Sequence, residues 1–154
     1  MTSTTIPPML PELAARAGVG RVWRGAAIAA VTATAAAELY AAVIHAAGVP
    51  MRAGFLGAAT ASPLTASSFA TGVAVCTFWA AILATILAKK AARPARTFLA
   101  ITVVLTAVSL MVPAGAAATS PATKVALAAA HILVAGIVIP ILACHLRPAR
   151  QAGS

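Results

Sequence analysis

Four long apolar runs, separated by short segments that hold most of the prolines and basic residues, constrain this chain more than any other feature. They lie at about 22–47, 64–88, 96–112 and 122–146. About 20 apolar residues in a helix cross the roughly 30 Å hydrocarbon core of a bilayer. The runs therefore predict an all-α fold, an integral membrane bundle of four transmembrane helices within 21–147. A polar segment, 1–20, precedes it, and a polar tail, 148–154, follows. Glu12 to Arg16 has the character of a short interfacial helix.

Composition agrees. The 154 residues suit one domain. They are 62% hydrophobic and 8% charged, whereas about a quarter of a soluble domain is charged. The net charge of +9 does not point to nucleic acid, because the bases sit between apolar runs rather than on one soluble face. Arg16, Arg21, Arg24, Lys89, Lys90, Arg93, Arg96, Arg147 and Arg150 fall on one side, and Arg52 and Lys124 on the other. Of the 11 bases, that is nine against two. The positive-inside rule then places both termini in the cytoplasm of a multi-pass cell-membrane protein. Trp23 is an interfacial anchor beside Arg21 and Arg24.

Glu38 is the sharpest functional signal. It lies inside the first run, and Glu12 is the only other acidic residue. A carboxyl at membrane depth costs several kcal/mol unless it is neutral, paired or wetted, so Glu38 is expected to face the bundle interior or a water-filled cavity. Thr34, Glu38 and His45 share one helical face. At 1.5 Å per residue, Glu38 lies roughly 15 Å and His131 roughly 12 Å below the outer boundary. Neighbouring first and fourth helices would thus let Glu38 and His131 share a proton or a ligand. Thr71 and Ser109 belong to the same outer layer, and Tyr40 and Trp79 bring polar tips into apolar runs. Each also has a plain structural reading. Glu38 can bridge helices as a neutral acid, His131 can bond a neighbouring helix, and His45 and His145 can be interfacial residues. Tyr40 and Trp79 can pack with their tips satisfied, and the Thr102, Thr106 and Ser109 hydroxyls can bond their own helix.

Neither metal nor cofactor is expected. Glu38 and His45 stand roughly 10 Å apart along the axis, too far to share one ion. Cys76 and Cys144 differ in depth by roughly 10 Å, so a disulfide between them is not expected. Small residues four apart are too frequent to mark an interface. Pro140 should bend the fourth helix.

Two resemblances follow from these residues. Ala37-Glu38-Leu39-Tyr40 on the first helix, and the 129–135 segment followed by Val138-Ile139-Pro140 on the fourth, resemble the uncharacterised small four-helix membrane proteins common in actinobacteria. That resemblance covers 22–146 and implies the architecture without an activity. The single membrane-embedded Glu38 on the first of four helices is similar to the small multidrug resistance transporters, where such a Glu binds protons and cationic drugs in competition. This chain departs from them in its greater length, its longer outer loop, the lack of an aromatic ring around Glu38, and His131.

The leading reading is a binding or transport protein whose intramembrane site around Glu38 and His131 handles a proton, a cation or a small amphipathic ligand. The alternatives are an intramembrane cofactor-free enzyme of cyclase or isomerase type, with Glu38 and His131 as acid and base on a hydrophobic substrate, and a structural subunit. The partners expected are the lipid bilayer and a hydrophobic or cationic small molecule, with homo-oligomers allowed and no nucleic acid. Orientation is directly testable. Green fluorescent protein fused to either terminus should fluoresce in bacteria, and alkaline phosphatase at the same positions should be inactive; active phosphatase would reverse the topology.

Overall fold

The computed structural model describes the backbone of residues 9–54 and 59–147, with side chains from Gly18 onward, Ala66 excepted. Residues 1–8, Phe55 and Leu56 of the long connection, and the 148–154 tail lie outside the described residues. In chain order the elements are α1 (Met9–Ala46), β1 (Arg52–Ala53), β2 (Ser62–Pro63), α2 (Ala66–Lys90), α3 (Pro94–Ser109), α4 (Met111–Gly115) and α5 (Pro121–His145).

Four segments are long and apolar enough to cross a membrane: Gly18–Ala46, Ser67–Lys90, Pro94–Gly115 and Pro121–His145. The fold is an all-α four-helix bundle, and the chain is a multi-pass membrane protein. The backbone from Glu12 to Arg16 continues directly into α1 rather than forming a separate helix.

Local sequence sets the helix ends. Proline opens α3 and α5, at Pro94 and Pro121, where its missing N–H is not needed. Ser120 caps α5, its Oγ accepting from the Thr123 N–H at 3.1 Å. Ser68 Oγ accepts from the Thr65 N–H at 3.3 Å at the start of α2. The third span, expected to end at 112, runs on to Gly115, and its helix is interrupted after Ser109. Pro113 explains this, because it has no N–H to offer the Ser109 carbonyl four residues back. The chain resumes as α4, which contains Pro113.

The four long helices form a ring in the order α1, α2, α3, α5, with α2 and α5 also touching across the diagonal. α1 packs through a seam of small residues, Ala26, Ala29, Ala33 and Ala37, all buried. It meets Ala81 and Ala84 within one cluster that also takes in Phe98, Val138 and Leu142. Small side chains let backbones approach closely, and this drives helix association where no water is present to be expelled. Trp23 of α1 meets Phe78 of α2, with ring centroids 5.9 Å apart.

At one end of the bundle lie Arg21, Arg24, Lys89, Lys90, Arg93, Arg96 and Arg147, all exposed. This is called the basic end. The other is the hairpin end, where β1 and β2 pair antiparallel, Arg52 opposite Pro63. The connection carrying them docks on the α4–α5 turn. Thr123 Oγ donates to the Pro50 carbonyl at 2.5 Å, and the Gly54 N–H donates to Thr119 Oγ at 3.1 Å. Lys124 Nζ donates to the Ala114 carbonyl at 3.1 Å, tying α4 to α5.

α1 and α5 meet tightly at Gly25, where a Cβ would stand 2.7 Å from Cγ of His145. Gly25→Ala should therefore destabilise the bundle by about 1–3 kcal/mol through overpacking. Thermal unfolding in detergent checks this. Adding His145→Ala should restore most of the loss, and an unchanged midpoint in Gly25→Ala alone would show that this contact is not tight.

Candidate functional site

α3 is the loosely held member of the ring. Its buried residues are Phe98 and Thr102, both toward the basic end. Nearer the hairpin end, α2, α3 and α5 enclose a cleft of about 630 Å³. Small-molecule sites typically span about 300–1,000 Å³ and are mostly apolar with a few placed polar groups.

The cleft has a floor and a mouth. Its α5 lining, including Ala130, Val134 and Val138, is buried or half-buried. The exposed lining residues, among them Val75, Cys76, Trp79 and Leu105, belong to α2 and α3. The opening therefore lies between α2 and α3, along the flank of the bundle and within the membrane-crossing segments.

His131 is the one titratable nitrogen in the lining. Its Nδ1 lies 2.8 Å from the Leu127 carbonyl, one turn back on α5. A carbonyl can only accept, so the proton is on Nδ1. In the neutral ring, Nε2 then carries a bare lone pair. The other polar groups lining the cleft on α3 are self-satisfied. Thr102 Oγ donates to Phe98 O at 2.7 Å, Thr106 Oγ to Thr102 O at 2.8 Å, and Ser109 Oγ to Thr106 O at 2.7 Å. They remain acceptors, as does His131 Nε2 in the neutral ring.

The eight residues singled out from the sequence divide into groups. His131, Trp79 and Ser109 line the cleft. Thr71 is exposed on α2 beside the lining residue Gly72 but outside the lining. Thr34, Glu38, Tyr40 and His45 are on α1, which contributes nothing to the lining. Tyr40 packs with its tip satisfied, its hydroxyl donating to the Ala126 carbonyl of α5 at 3.0 Å.

Glu38 matches His131 in depth but not in direction. Tyr40 opposite Ala126 and Gly25 beside His145 fix the antiparallel register of α1 and α5. Two residues back from Tyr40, Glu38 is level with about Ala128, within a turn of His131. At 3.6 residues per turn, however, Glu38 points about 160° away from Tyr40, which reaches α5, and about 60° from Trp23, which meets α2. The half-buried Glu38 thus points away from α5 and from the alanine seam, rather than into the bundle interior as expected, with no hydrogen-bond or ion-pair partner among the described residues. Thr34 is one turn below it, and His45 is exposed near the end of α1.

Cys76, considered from the sequence only as a disulfide partner, lines the cleft and is exposed. Only the rotation of α2 reveals this. Thr77, next along, is 2% exposed, and its hydroxyl is a buried polar atom without a partner. Among the described residues no three His, Cys, Asp or Glu side chains converge as metal ligands do.

Fold and cleft together define a small multi-pass membrane protein with a lateral, largely apolar cavity. The chain belongs to a family of unknown function, DUF6069, which matches residues 17–148. Neither a curated protein nor a solved structure matches it.

The separation of the two flanks gives a thermodynamic prediction. Glu38→Gln and His131→Leu should act additively on thermal stability, with a coupling energy below about 0.5 kcal/mol. A coupling above about 1 kcal/mol in the double-mutant cycle would show direct contact.

Proposed function

We propose that this protein binds a small amphipathic molecule in the cleft between α2, α3 and α5, with His131 as its polar anchor, and serves as a membrane binding or transport protein. One observation carries the reading: an imidazole whose Nδ1 is tied to Leu127 lines an otherwise largely apolar cavity, and its Nε2 makes no hydrogen bond among the described residues. Burying a polar group in such surroundings without a partner is unfavourable, so a ligand that supplies the partner gains by binding there. Trp79, 63% exposed, offers an aromatic face at the same cavity.

In this reading the basic end faces the cytoplasm. The cleft then runs from the outer half across the midplane, and its mouth is reached from the lipid. Glu38 lies outside the cavity and is a second intramembrane polar position. A single site shared by Glu38 and His131 would require α1 to rotate about its own axis, which binding in the cleft does not.

Native mass spectrometry of the detergent-purified protein tests this. A small molecule should accompany the wild type and Glu38→Gln but leave His131→Leu. A ligand lost from Glu38→Gln and kept by His131→Leu would overturn the assignment and move the site to α1.

A further inference from the structure

The shape and lining of the cleft narrow the class of ligand, given its reading as a binding site. We infer that the occupant is a single-chain lipid whose uncharged head carries an O–H, a long-chain alcohol or a protonated fatty acid, with its head toward the hairpin end.

Length comes first. On α2 the lining runs from Ser68 to Leu83, roughly 22 Å at 1.5 Å per residue, and on α5 from Leu127 to Ile139, roughly 18 Å. A cavity this long, with a volume of about 630 Å³, is narrow. It suits one extended chain rather than a two-chain phospholipid.

Polarity comes second. Ser68, Ser109 and His131 belong to the half nearest the hairpin; Thr106 and Thr102 lie lower on α3 with their hydroxyl protons committed to their own helix, and Leu83, Val138 and Ile139 form the lower end. That gradient orients an amphiphile, head toward the hairpin and tail toward the basic end.

Charge comes third. The lining contains no Lys or Arg to pair with a phosphate, and no Asp or Glu to pair with an ammonium head. The nearby Lys124 is committed to the Ala114 carbonyl at 3.1 Å, and Glu38 is on another flank. An ionic head would enter an apolar cavity uncompensated, which is costly. What the cavity presents to a head is a set of acceptors: His131 Nε2 in the neutral ring, and the hydroxyl oxygens of Thr102, Thr106 and Ser109, whose protons go to their own helix. Their complement is a neutral donor, and a hydroxyl or a carboxylic acid supplies one. Entry between α2 and α3 suits molecules already dissolved in the bilayer.

Cys76 is a built-in reporter, being both exposed and part of the lining. The full chain carrying Cys144→Ser is placed in phosphatidylcholine nanodiscs, and the rate of Cys76 alkylation by N-ethylmaleimide is followed. Oleyl alcohol and oleic acid are titrated beside their methyl ether and methyl ester, which keep the chain but lose the donor. The alcohol, the acid or both should slow alkylation at concentrations about tenfold below their methylated counterparts, the worth of one hydrogen bond in an apolar site. The gap should close in His131→Leu. Methylated compounds that protect equally well would overturn the O–H inference while leaving the cleft as a lipid site. No protection by any of the four would overturn the cleft reading itself. The comparison within the wild type stands whether or not His131→Leu folds.

Discussion

The close approach of α1 to α2 and α5 through an alanine seam is the constraint from which the rest of this structure follows. In a bilayer, apolar side chains gain nothing by leaving lipid for protein, so helices associate by packing and hydrogen bonds. Ala26, Ala29, Ala33 and Ala37 on α1, with Ala81 and Ala84 on α2, permit that packing. Tyr40, whose hydroxyl reaches Ala126, and Gly25, which admits the His145 ring, lock α1 to α5 at both ends.

α3 has no such seam. Val103, Val104, Leu105 and Val108 are exposed, and Phe98 anchors α3 to the core near the basic end. A helix pinned at one end and joined to α2 by the short 91–93 connection stands apart from its neighbours at the other. The cleft is the space that remains. Its α3 hydroxyls spend their protons on their own helix and keep only acceptor capacity, beside the imidazole of His131. The hairpin docks at that end of the bundle through Thr123 and Thr119, and the exposed lining on α2 and α3 marks the lateral opening.

The four spans were legible in the sequence because length and hydropathy decide them. Depth was legible too. Counting residues placed Glu38 and His131 in one layer, and the Tyr40–Ala126 pairing puts them there. Rotation was not legible. With alanine on every face of α1, the amphipathic signal that would say which way Glu38 points is missing. The same blindness hid Cys76, since nothing local distinguishes a cysteine in a cleft from one against lipid. The break at Ser109 was readable in principle, because Pro113 deprives that carbonyl of its donor, but it needed the four-residue offset rather than the proline itself.

The claim on which the site depends is that His131 turns its bare Nε2 into the cleft and away from Glu38. Solid-state NMR in bilayers, with 13C-labelled glutamate and 15N-labelled histidine, tests it most directly, because the chain has two glutamates and three histidines. The result expected is a His131 ring protonated at Nδ1 with an unprotonated Nε2, and no dipolar dephasing between its nitrogens and the Glu38 carboxyl. Strong dephasing, or a proton on Nε2 with Nδ1 bare, would show that the imidazole faces α1 and that the cleft has no base.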